Sequence, residues 1–127
     1  MTESFTVMNP ENRAHYMRVR PAGKRVEIRL GDVLLARSED ALRVLECGRD
    51  LYDPVLYLPA ADIAAPLAPA EKRTRCPIKG AARYRDLADG SAPEIAWVYE
   101  DPVPGAERLA GRIAFDAARV TIIESPL

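Results

Sequence analysis

Soft metal ligands are scarce in this chain. Its 127 residues hold two cysteines, Cys47 and Cys76, and one histidine, His15. Two cysteines cannot build a disulfide framework, and a reducing cytoplasm is the default location. With no C-x-x-C, a structural zinc site has too few ligands, so no metal or other cofactor is expected. No apolar run approaches the ~18 residues of a transmembrane helix, so no membrane is expected as a partner. The first residues show no basic region followed by an apolar segment, so no secretory signal is expected. The phosphate-cradling patterns G-x-G-x-x-G and G-x-x-x-x-G-K-[ST] are missing, and so is D-x-D. Regular βαβ alternation and internal repeats are missing too, which excludes Rossmann-like and solenoid folds. The net charge of −1 argues against general nucleic-acid affinity.

The charge is unevenly distributed. Lys72, Arg73, Arg75, Lys79, Arg83 and Arg85 fall within residues 72–85 with no acid among them. From residue 86 onward, eight acids face three arginines. Either these segments are neighbouring strands whose charges pair across a sheet, or the basic segment is a wall that holds an anionic ligand.

Short alternating runs with frequent Gly and Pro punctuation point to a mainly β chain. The expected fold is a single small antiparallel barrel or roll with one or two short helices. Residues 1–13 read as a flexible lead-in and residues 14–127 as one β-rich domain. Val26, Ile28 and Leu30 alternate strictly, and Gly31-Asp32 before Val33 marks a two-residue hairpin. Ser38-Glu39-Asp40, the run 41–47 and Gly48 carry the cap, acidic start and glycine stop of a short helix. Residues 54–59 and 81–87 read as strands. The run 94–99 also reads as a strand, with Ile95, Trp97 and Tyr99 on one face. Turns of helix are expected near Asp62 and over 106–110, and two strands close the chain.

The segment 74–84 holds a thiol, a proline, an amine and a glycine within five residues, Cys76 to Gly80. A cation beside Cys76 favours its thiolate, a nucleophile. One helical turn would bring Lys79 near Cys76, an extended segment would point them to opposite faces, and Pro77 equally suits a tight turn. The bland alternative is a packed Cys76 and a salt-bridged or solvated Lys79. His15 reads as a surface residue near the chain start, so the thiol has no evident base. Asp62 is placed to pair with Lys79 or an arginine. Tyr57, Tyr84, Trp97 and Tyr99 either line a cavity with polar tips or fill the core.

These residues form a pattern. Tyr57-x-Pro59, Asp62, Thr74-x-Cys76-Pro77-x-Lys79-Gly80-x-Ala82-x-Tyr84, Ala96-Trp97-x-Tyr99-x-x-Pro102 and Ile113-Ala114-Phe115 resemble domain-of-unknown-function family 427. The resemblance spans roughly residues 17–124. It implies a small, mostly β, stand-alone soluble bacterial domain with no established activity and a nucleotidyltransferase-like label. Ile78 and Asp116 depart from the aromatic residues frequent there in the family.

The sequence thus leads to a small anionic ligand held in a pocket walled by residues 74–84. Tyr57, Asp62, Arg75, Cys76, Lys79, Tyr84, Trp97 and Tyr99 are the binding residues, and Cys76, Lys79 and Asp62 the catalytic candidates. The alternatives are a non-catalytic interaction module and a nucleotidyltransferase-like enzyme. The latter needs carboxylates that converge from distant positions to hold metal ions. The oligomeric state is not readable from the sequence, and base rates alone leave room for a homodimer.

Overall fold

A computed structural model describes residues 4–127. Its eleven strands are β1 (Phe5–Asn9), β2 (Asn12–Pro21), β3 (Lys24–Leu30), β4 (Val33–Ser38), β5 (Leu42–Cys47), β6 (Val55–Tyr57), β7 (Leu67–Cys76), β8 (Gly80–Leu87), β9 (Ala96–Val98), β10 (Ile113–Phe115) and β11 (Thr121–Pro126). They form three antiparallel sheets, ordered β1-β2-β5-β6, β10-β9-β8-β7 and β11-β3-β4. The expected β class is therefore correct. The single barrel or roll is not what forms, because the described strands make three open sheets and no closed barrel. No α-helix occurs among the described residues. Two single-turn 3₁₀ segments, Ala60–Asp62 and Glu107–Leu109, stand where helical turns were expected. No described helix is long and apolar enough to cross a membrane.

The β3–β4 hairpin follows directly from its pattern. Val26 and Ile28 are fully buried, and Leu30 lies opposite Val33 across the Gly31-Asp32 turn. Gly31 has φ +59, the left-handed value such a turn demands.

The expected helix after Ser38 is instead strand β5. The cap signature is real but closes only a local turn. The Ser38 hydroxyl accepts the Asp40 N–H at 3.0 Å and donates to Asp62 Oδ2 at 2.6 Å. Pairing on both sides, with β2 and β6, then outweighs the local helical preference of residues 41–47. Leu42 and Val44 alternate into the core. The chain start also needs correction. Phe5–Asn9 is not a loose lead-in but edge strand β1, with Val7 buried opposite Met17. Residues 1–3 of that expected segment lie outside the described residues.

Two apolar clusters hold the sheets together. The first joins Val26, Ile28, Leu35, Leu58, Ile95 and Phe115. The second joins Met17, Val19, Leu42, Tyr57, Ile78 and Leu109. A fully buried side chain such as Leu35 or Leu58 contributes about 1.5–3 kcal/mol.

The β7–β8 hairpin sets up the functional geometry. Thr74 faces Ala82 and Cys76 faces Gly80, while Arg73 faces Arg83 and Arg75 faces Ala81. Alternation therefore sends Cys76, Ala82 and Tyr84 to the inner side and Arg73, Arg75 and Arg83 to the outer side. Ala82 is buried, and the three arginines are exposed.

Candidate functional site: an ion-paired cluster beneath an arginine face

The turn from β7 to β8 runs through Pro77, Ile78 and Lys79. The Lys79 N–H donates to the Cys76 carbonyl at 3.3 Å, so the tight-turn alternative is the one realised. Ile78 is fully buried and anchors the turn. Gly80 has φ +122, and a Cβ there would lie 3.2 Å from the Asp101 carbonyl oxygen. Glycine thus lets the 100–107 loop close on the hairpin, where Val103 N–H donates to the Lys79 carbonyl at 3.0 Å.

Lys79 points inward, with its side chain only 8% exposed. Its ammonium donates to Glu46 Oε1, and Cys76 Sγ lies 4.0 Å from Nζ. Glu46 Oε2 stands 2.9 Å from His15 Nε2, and Asn9 Nδ2 lies 3.3 Å from His15 Nδ1. If Nε2–H donates to the carboxylate, Nδ1 is left to accept from the Asn9 amide, the pattern of a neutral ring. The chain of contacts therefore ties β1, β2, β5 and the β7–β8 turn together.

Aromatic residues complete the cluster. Tyr57 is buried, and its hydroxyl accepts the Trp97 indole N–H at 3.1 Å. Its ring lies 6.2 Å from that of Tyr99, and the Tyr84 and Trp97 rings lie 5.9 Å apart. Lys72 Nζ sits 4.6 Å above the centre of Tyr84, a cation–π contact.

Burial pushes the Glu46 carboxyl up, but hydrogen bonds from Lys79 and His15 outweigh it and hold the pKa below the ordinary 4.5. Burial pulls Lys79 down, yet the Tyr57 oxygen, Cys76 sulfur and Glu46 carboxylate together hold it above 10.5. Burial raises Tyr57 and Tyr99 and keeps both phenols neutral. The signs define a window. The contribution of Glu46 is present above 4.5 and lost as pH falls through its lowered native pKa. That of Lys79 is present below 10.5 and lost as pH rises through its raised native pKa. Urea unfolding as a function of pH should show a plateau between these limits. Glu46→Gln should flatten the acid limb relative to wild type, and an unchanged acid limb would count against the pairing.

The outer side is different. Arg73, Arg75 and Arg83 form no ion pair within 4 Å among the described residues, whereas Arg85 pairs with Glu100. Pairing of the basic segment with the later acids is thus limited to Arg85. Arg75, Gly80, Ala81 and Arg83 form one wall of a hollow of about 670 Å³. The 100–107 loop forms the other, bringing Glu100, Asp101 and Glu107. Two of these acids already have partners, Glu100 in Arg85 and Glu107 in the Gly105 N–H.

The residues singled out from the sequence therefore separate into three places. Tyr57, Cys76, Lys79, Tyr84, Trp97 and Tyr99 gather on the inner side of the hairpin. Arg75 lies on the outer side, in the hollow. Asp62 has its contact elsewhere and accepts from Ser38, with neither Lys79 nor an arginine as partner. His15 is not a free surface residue, because its side chain is 15% exposed and bonded to Glu46. Sequence reasoning missed Glu46, and it placed Arg73 and Arg83 in the basic wall without naming them among the binding residues. A period-two reading of Leu42, Val44 and Glu46 would have placed the glutamate inward. Among the described residues, no three His, Cys, Asp or Glu side chains converge to hold a metal ion.

Fold and cluster define a small, mainly β structure whose sheets are tied by a partly buried Lys–Glu–His chain under an arginine-bearing hairpin. The sequence model of the family described as a domain of unknown function, DUF427, matches residues 18–125. The chain belongs to that family. No curated protein matches it.

Proposed function

We propose that this domain binds a small anionic molecule on the outer side of the β7–β8 hairpin, over the hollow that Arg75 and Arg83 line. One observation carries the reading: Arg73 and Arg83 stand directly opposite each other across the two strands, exposed and without an acid between them. Like charges in that register are destabilising, and Arg75 adds a third positive charge on the same face. A bound anion relieves this repulsion and accepts the planar guanidinium donors, which suit phosphate and carboxylate. The hollow, at about 670 Å³, falls in the range of small-molecule sites.

In this reading the inner cluster is scaffold. Lys79 is engaged by Glu46, so it holds the turn and leaves anion contact to the arginines. The nucleotidyltransferase alternative needs converging metal-binding carboxylates, and among the described residues no group of three or more His, Cys, Asp or Glu side chains supports it. An interaction module finds support in one row across the first sheet, Met8–Tyr16–Cys47–Leu51, where Met8, Tyr16 and Leu51 are 45%, 39% and 79% exposed.

Calorimetric titration with inorganic diphosphate and with citrate at low salt tests the anion reading. Saturable binding should weaken about tenfold or more in Arg75→Ala/Arg83→Ala, since each charged hydrogen bond contributes roughly 1.5–3 kcal/mol. Affinity should also fall as salt is raised. Heats that do not saturate in wild type, or equal affinity in the double variant, would remove the site.

A further inference from the structure

A second recess lies where the β11-β3-β4 sheet meets strands β5, β6, β9 and β10. It measures about 240 Å³ and is lined by Ile28, Val55, Leu56, Trp97, Phe115 and Ile122 among others. Arg43 and Glu124 are the charged residues of that lining. Arg43 reaches both carboxylate oxygens of Glu124, with Nη1 3.2 Å from Oε2 and Nη2 on Oε1. The Arg43 side chain is 16% exposed and that of Glu124 34%. The cation is thus the inner, fixed partner and the carboxylate the outer one. Glu124 belongs to β11, an edge strand joined to its sheet through β3 alone.

We infer that this groove is a binding site for a small carboxylic acid with an apolar body, whose carboxylate replaces that of Glu124 on Arg43. Charge complementarity selects the class of ligand. Arg43 is the groove's cation, and its two-pronged donor set matches a carboxylate. The chain's own Glu124 shows that the fork accepts one in this place. The remaining walls are aliphatic or aromatic and favour an apolar body. The volume of about 240 Å³ lies below the roughly 300–1,000 Å³ of drug-sized ligand sites, which suits a compact acid. The inference is independent of the arginine face, because the two sites share no lining residue.

Trp97 provides the test, since it is the only tryptophan in the chain and lines the groove. Its fluorescence is followed during titration with 3-phenylpropionate and hexanoate, with the corresponding amides as neutral controls. Both acids should give a saturable change, and the amides should bind at least about tenfold more weakly. Arg43→Gln should lose about tenfold or more in affinity for the acids. Glu124→Gln, which removes the internal competitor, should gain about fivefold or more. Where Arg43→Gln does not fold, Glu124→Gln decides the matter. No Trp97 response to either acid at millimolar concentration, equal affinity for acid and amide, or unchanged or weaker acid binding by Glu124→Gln would overturn the inference.

Discussion

Glu46→Ala is expected to lower unfolding stability by about 3 kcal/mol. The substitution leaves the Lys79 ammonium in a site where its side chain is only 8% exposed, without its carboxylate partner. Breaking a buried pair from one side costs roughly 3–5 kcal/mol, and the 18% exposure of Glu46 argues for the lower end. His15 also loses the acceptor at Nε2. Replacing both ends by apolar groups of similar volume should behave differently, because no charge is stranded. Glu46→Leu/Lys79→Met should recover most of the loss. Urea denaturation of the two single variants and the double variant measures this directly. A loss under 1 kcal/mol for Glu46→Ala would mean that the pair behaves as an exposed one.

Gly80→Ala is the second large effect, expected at about 2 kcal/mol. Two costs combine here. A φ of +122 is strained for any residue with a Cβ, and the new carbon would meet the Asp101 carbonyl oxygen at 3.2 Å and Pro102 Cα at 3.4 Å. Both obstacles are backbone, so relief requires the 100–107 loop to move away from the hairpin. Gly90→Ala separates the two costs, since Gly90 has φ +81 but a Cβ there would meet nothing within 4 Å. It should cost about 1 kcal/mol, from conformation alone. Thermal unfolding of both variants tests the difference, and equal losses would show that contact with the loop is immaterial. Because that loop forms a wall of the hollow, Gly80→Ala should also weaken anion binding.

The strands were legible wherever alternation and turn chemistry agreed. Val26, Ile28 and Leu30 followed by Gly31-Asp32 pointed to the hairpin, because period two and a positive-φ turn agree, but not to the register shift between Ile28 and Arg29. They conflicted at residues 38–48. Ser38 does cap Asp40, as a helix start would, but the partners that make residues 42–47 a strand lie in β2 and β6, far away in sequence. That error also concealed Glu46. A glutamate near a helix end reads as solvated, while on β5 it shares the inner face with Leu42 and Val44. His15 was obscured in the same way, since its importance depends on Glu46, 31 residues distant.

The site was legible as a segment but not as a geometry. Composition marked residues 72–85 as basic, and Pro77 pointed to a tight turn between Cys76 and Lys79. Alternation along β7 and β8 then separates what the sequence groups together. Cys76 faces inward, and Arg73, Arg75 and Arg83 face out. Asp62 is drawn to Ser38 because the 3₁₀ turn at Ala60–Asp62 packs beside β4, where Ile63 bridges Ala36. No local pattern reports such a long-range contact.

The central claim is that Arg73 and Arg83 are kept opposed because an anion occupies the arginine face. Melting temperatures of wild type and Arg73→Glu, each with and without inorganic diphosphate at low salt, test it most directly. Without the anion, Arg73→Glu should be the more stable protein by about 0.5–1 kcal/mol, since an opposed like-charge pair becomes an opposite-charge pair. With diphosphate, wild type should gain stability and the variant should gain little or none. A variant less stable than wild type without the anion, or raised as much as wild type by diphosphate, would contradict the account.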